Sequence, residues 1–128
     1  MLRIFLTGCD PVLSDAVRNT FLPEGAFEIC VEQKNGIQAI MEAIELSPDL
    51  VILGEEMLAI GDGEVAETLK MTMPEVQVFL VTELYGMEAE KKALSHGIDA
   101  VFERHDDLIS LVMNARAVCG LGSLPLMN

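Results

Sequence analysis

Five short apolar runs, each followed within a few residues by a helical pattern, constrain this chain more than any other feature. The most telling run is Leu50-Val51-Ile52-Leu53, four apolar residues without interruption. A strand with one face in water alternates polar and apolar residues. A strand with no polar position belongs in a parallel sheet covered on both faces. Ile4-Phe5-Leu6 and the stretch Val76 to Val81 are of the same kind, and Ala100-Val101-Phe102 is a shorter copy. Phe27 to Glu32 alternates and reads as a half-exposed strand. Leu6, Ile52, Leu53, Val78, Leu80 and Val101 are the expected core of the sheet.

Between the runs the period changes from two to that of a helix. Asp10 can cap a helix whose first turn holds Pro11, because proline's missing N–H is not needed there. Val12, Leu13, Ala16, Val17, Thr20 and Phe21 give that helix a broad apolar face. Ile37, Ile40, Met41 and Ile44 recur at i, i+3, i+4 and i+7 and predict a second helix, closed by Ser47-Pro48. Asp62 or Gly63 opens a third, carrying Val65, Ala66, Leu69 and Met73 before Pro74. Met87 to His96 is a fourth, with Gly97 as a left-handed cap. Leu108, Leu111, Val112, Ala115 and Cys119 mark a fifth. Five βα units with short connections predict a parallel sheet between two helical layers, since crossovers between parallel strands are helical and right-handed. Residues 1–119 form one domain on this reading. Residues 120–128 are an irregular tail or the start of a linker.

Composition narrows the function classes. The chain has 128 residues, 21 acidic and 8 basic, for a net charge of −13. Such a surface repels phosphate backbones, which argues against direct nucleic-acid binding and for protein partners. Mean hydropathy is +0.38, yet no apolar run is long enough to span a bilayer. Leu6-Thr7-Gly8-Cys9 looks like a lipoprotein cleavage box, but the apolar run before it is shorter than a signal core of about 7–15 residues. Cys9, Cys30 and Cys119 are odd in number and lack metal-site spacing. Reduced thiols and a cytoplasmic location are expected.

Several stretches resemble the receiver domain of bacterial response regulators. Arg3 to Pro11 is similar to its opening strand and acidic turn. Ser47 to Leu53 is similar to the Pro-Asp-apolar approach to the phosphoacceptor. Pro74 to Thr82 resembles the fourth strand with its terminal hydroxyl. Gly97-Ile98-Asp99-Ala100-Val101-Phe102-Glu103-Arg104 resembles the segment that ends in the catalytic lysine. The resemblance covers residues 2 to about 119 and is nearest to receivers that precede LuxR-type DNA-binding domains. It implies a flavodoxin-like (βα)5 three-layer α/β sandwich with strand order 2-1-3-4-5.

The departures lie at the positions that the family uses for chemistry. Where the resemblance places two metal-binding acidic residues stand Gly8 and Cys9; Asp10 is one place further on. Gly54 stands at the acceptor position, Arg104 at the lysine and His105 at the following proline. Val101 occupies the aromatic switch position, and Thr82 keeps its identity. The loop after Gly54 has Leu58 where the family has proline. Mg²⁺ demands hard oxygen ligands in octahedral array, so no metal or other cofactor is expected. Phosphoryl transfer needs a nucleophile, a metal and a cation to hold the product, and the first two are missing. Glu56 could imitate a permanently charged acceptor, whereas Glu55 should point away because strand side chains alternate. Arg104 could bind an anion, pair with Glu55 or Glu56, or simply fill the space left by lysine. Cys9 is either a small plug in an empty pocket or a thiol redox switch.

These features predict a non-enzymatic signalling module acting by protein–protein contact. The alternative is the regulatory domain of a LuxR-type transcription factor. The surface that receivers use for docking a partner or a second copy comprises the fourth helix, fifth strand and fifth helix. Here it would draw on Met87, Glu90, Lys91 and Leu94, then Val101 and Arg104, then Leu111 and Arg116. Lys91, Lys92, Arg104 and Arg116 are half of all basic residues, a local balance that suits an acidic partner.

Overall fold

A computed structural model of the chain describes residues 2–32, 36–55, 64–83 and 86–121. Ten elements alternate along the described residues. They are β1 (Leu2–Thr7), α1 (Pro11–Phe21), β2 (Phe27–Glu32), α2 (Gly36–Leu46), β3 (Leu50–Leu53), α3 (Glu64–Thr72), β4 (Gln77–Thr82), α4 (Met87–Ser95), β5 (Ala100–Glu103) and α5 (Leu108–Val118). The strands form one sheet in the order β2-β1-β3-β4-β5, with every pair parallel. The fold class and strand order expected from the sequence are those observed. The openings assigned to Asp62 or Gly63, and the tail beyond Leu121, lie outside the described residues.

The sheet divides the core into two. Ile4, Leu6, Leu50, Ile52, Phe79 and Val81 face one side, where Leu13, Val17 and Phe21 of α1 meet Leu111, Val112 and Ala115 of α5. Phe5, Val51, Leu53, Val78 and Leu80 face the other, under Ala39 and Ala43 of α2, Val65, Ala66 and Leu69 of α3, and Ala93 of α4. Strand side chains alternate between faces, so the unbroken apolar run of β3 fills both layers at once. Burying each such side chain contributes about 2 kcal/mol. Val101 is only partly buried, because β5 is an edge strand; its neighbour Phe102 takes the enclosed position and packs on Phe79 with ring centroids 5.2 Å apart.

Two helices differ from expectation. The buried stripe of α2 is centred on Ala39 and Ala43, with Ile40 and Ile44 at its margin and Met41 64% exposed. Small alanines permit close approach to the layer below, and this turns the helix so that Met41 faces water. On α5, Leu111 is wholly buried, and Arg116 is held against Glu24 at 2.6 Å with both side chains only 13% exposed. Arg116 also donates to the Leu121 carbonyl at 3.2 Å. Gly97 has the expected left-handed conformation, at φ 95°.

Candidate functional site

The carboxyl edge of a parallel sheet is where strand ends and loops can converge. In this protein that edge gathers Gly8, Cys9 and Asp10 after β1, Gly54 and Glu55 after β3, Thr82 and Glu83 at the end of β4, and Arg104 and His105 after β5. Glu56 lies outside the described residues, as does Leu58.

Gly54 is packed against the first loop. Its N–H donates to the Thr7 carbonyl at 2.8 Å. Gly8 turns the chain with φ 75°, in the left-handed region that favours glycine. Its carbonyl then faces Gly54 so closely that a Cβ added there would lie 2.3 Å from the Gly8 oxygen and 2.7 Å from the Cys9 sulfur. No side chain fits at Gly54 without moving backbone. Cys9 is buried and its sulfur faces the Thr7 carbonyl at 3.8 Å. It fills the space between the two loops.

Asp10 caps α1 by accepting from the Leu13 N–H at 2.8 Å, as the sequence suggests. The same carboxylate also receives both terminal nitrogens of Arg104, at 2.7 and 3.2 Å. Arg104 is thus neither a lone surface cation nor a partner of Glu55 by direct contact. It is 13% exposed, and its Nε lies 3.7 Å from Glu83. The turn that aims it is tied down by Glu103, whose carboxylate accepts from the His105 and Asp106 amides at 2.8 Å. In the sheet, β1 and β5 are separated by β3 and β4. The Asp10–Arg104 pair therefore links strands that do not touch.

Hydrogen bonding to Arg104, with the Leu13 amide second, holds the Asp10 carboxyl down from 3.8 to about 2. Asp10 raises Arg104 still further above its ordinary range, with burial working against it. A carboxyl depressed in the folded state stabilises the fold above its unfolded pKa, and that contribution is lost as pH falls through the folded value. The stability advantage of the native chain over Asp10→Asn should accordingly be full above pH 3.8 and vanish as pH approaches about 2. Asparagine keeps the cap, so urea unfolding across that window isolates the ion pair. Asp10 is 40% exposed, and added salt should shrink the difference.

Glu55 reverses the expectation that it points away. Strand alternation ends with the strand, and two residues past β3 the chain has left the ladder. Its carboxylate accepts from the Thr82 hydroxyl at 2.9 Å and from the Glu83 amide. Thr82 is 2% exposed. Glu83 in turn meets His105 Nε2 at 3.2 Å.

A Mg²⁺ ion needs several hard oxygen ligands. The residues at this edge do not fit one: Gly8 and Gly54 offer no side chain, Cys9 is soft, Asp10 is engaged by Arg104 and Leu13, and Glu55 by Thr82 and Glu83. Among the described residues no cluster of three or more His, Cys, Asp or Glu side chains is arranged to hold a metal. A groove of about 670 Å³ lies at the opposite edge of the sheet, between Ser47–Asp49, Met73–Gln77 and Val118–Cys119. Burial, and then the charge of Asp49, push the Cys119 thiol up, which disfavours a reactive thiolate there.

Of the expected docking residues, Met87 is 77% and Leu94 45% exposed. Lys91 and Lys92 are exposed, and Glu90 and Val101 are half-buried. Leu111 cannot take part, being enclosed in the core, and Arg116 is turned inward to Glu24. Among the described residues, no helix is long and apolar enough to cross a membrane.

No family model matches the chain. A Pseudomonas aeruginosa protein described as a candidate transcriptional regulator is 29% identical over 118 residues, which cover 92% of this chain and 56% of that one. The chain thus spans about half the length of this curated relative. Among solved structures, a LuxR-family DNA-binding response regulator from Staphylococcus aureus has a TM-score of 0.77 at 24% identity, covering 92% of this chain and 98% of its own. A response regulator from Thermotoga maritima has a TM-score of 0.79 at 12% identity, with coverages of 94% and 98%. The BeF3-activated receiver domain of DrrB has a TM-score of 0.73 at 17% identity, with coverages of 94% and 98%. With the strand order, the single sheet and the paired helical layers already described, these likenesses establish that the chain has the fold of response-regulator receiver domains.

Proposed function

We propose that this chain is a pseudo-receiver: a signalling module that keeps the receiver fold, does not undergo aspartyl phosphorylation, and acts by binding another protein. The observation that carries the reading is the contact of Gly54 with Gly8. The acceptor position has no nucleophile and no room for one. Arg104, the cation that would hold a phosphoryl product, is already neutralised by Asp10, and Glu55 and Glu83 add negative charge beside it. An incoming phosphoryl donor would meet repulsion there rather than a cradle.

The face of α4 and β5 supports the binding role. Met87, Lys91, Leu94 and Val101 combine apolar surface with positive charge on an otherwise acidic chain. This suits an acidic partner, or a second copy pairing the same residues across a two-fold axis. A second reading is favoured by the regulator from Pseudomonas aeruginosa: the module would be the regulatory part of a longer transcription factor.

Incubation with acetyl phosphate and Mg²⁺ tests the central claim. The intact mass should stay unchanged. A species heavier by about 80 Da, the mass of one phosphoryl group, stable in acid and labile in base, would overturn it.

A further inference from the structure

We propose that Glu55 serves as a built-in anion that permanently holds the carboxyl end of β4, and so keeps the α4 surface that follows in one setting without an external signal. The geometry begins in the sheet register. Leu53, the last residue of β3, is level with Leu80, and beyond it the chain leaves the ladder and brings the Glu55 carboxylate to Thr82 at the end of β4. There a hydroxyl and a backbone amide, from Thr82 and Glu83, converge on one carboxylate oxygen. Two converging donors at a strand end form an oxyanion-shaped site, and this chain fills it from within. Hydrogen bonds to a carboxylate are stronger than those between neutral groups.

Glu83 is gripped from other sides as well. Arg104 Nε stands 3.7 Å from its carboxylate and His105 Nε2 stands 3.2 Å away. Gly86 follows three residues later and its carbonyl accepts the Glu90 amide within the first turn of α4. Met87 and Lys91 are exposed on that helix. Use of this surface for docking rests on the pseudo-receiver reading; the anchoring itself rests on geometry alone.

Amide hydrogen exchange on the full chain tests the inference. In Glu55→Ala, exchange at Glu83 and at Glu90, whose amide is bonded to the Gly86 carbonyl, should quicken about tenfold, the scale of losing charge-assisted hydrogen bonds. Exchange in α1 should stay within twofold, which separates loss of an anchor from general destabilisation. Glu55→Gln keeps an acceptor oxygen and Thr82→Ser keeps the hydroxyl, so each should restore most of the protection. Thr82→Val should quicken the same amides by less, because it removes only one of the two donors to Glu55. Unchanged exchange at Glu83 and Glu90 in Glu55→Ala, or a uniform rise throughout the chain, would overturn the inference. Either result leaves the phosphorylation test untouched, and a mass gain in that test would leave this one standing.

Discussion

Gly54→Asp, which would place a carboxylate at the position proposed to correspond to the acceptor, is expected to lose about 3 kcal/mol of stability. The reason is local and steric. The first atom of any side chain there would sit 2.3 Å from the Gly8 carbonyl oxygen. The cysteine sulfur beside it could swing aside, but the Gly8 backbone is fixed by the turn at φ 75° and by β1 behind it. Gly54→Ala should therefore cost nearly as much as Gly54→Asp, since the clash belongs to the Cβ and not to the carboxylate. Gly25→Ala provides the comparison: a Cβ there meets nothing within 4 Å, and the change should be neutral or slightly stabilising. Urea unfolding of the three variants checks the ranking. A Gly54→Asp protein as stable as the native chain would show that the two loops do not approach in solution as described.

Arg116→Ala should cost a similar amount, about 3 kcal/mol, because it strands a carboxylate in a nearly buried position. Arg116 and Glu24 are 2.6 Å apart and each is 13% exposed. Screening by solvent, which makes surface pairs weak, is largely absent. Arg116 also ties the Leu121 carbonyl, so its removal frees the end of α5 as well. In an Arg116→Ala background, Glu24→Ala should add less than it costs alone, a coupling measurable by a double-mutant cycle. The residue is consequently unsuitable as a probe of the proposed docking face, where charge reversal is meant to leave the fold intact. Lys91, exposed on α4, serves that purpose.

How much was legible follows from the range of each interaction. The strands and their order were readable because a fully apolar run such as Leu50–Leu53 has few places to go. Asp10 was readable as a cap because capping acts over three residues. Arg104 is not readable as its partner, since the two are 94 positions apart and follow strands separated in the sheet. Glu55 was misjudged because alternation applies within a strand, and Glu55 is beyond its end. Arg116 reads in the sequence as a docking-face residue; the loop carrying Glu24, brought against α5, turns it inward instead. Met41 fitted a helical stripe by spacing, yet two alanines decided which way α2 turned.

The Asp10–Arg104 and Arg116–Glu24 pairs span 94 and 92 positions of the chain. Loops of that size close late, because the entropy of bringing their ends together must first be offset by everything between them. Neither pair can persist in a partly formed sheet, since β3 and β4 must stand between β1 and β5 before Arg104 can reach Asp10. During synthesis, the amino-terminal βα units would thus leave the chain-exit tunnel with Asp10 capping α1 but otherwise unclaimed. The edge holding Asp10 and Arg104 would then be completed only once β5 and α5 arrive.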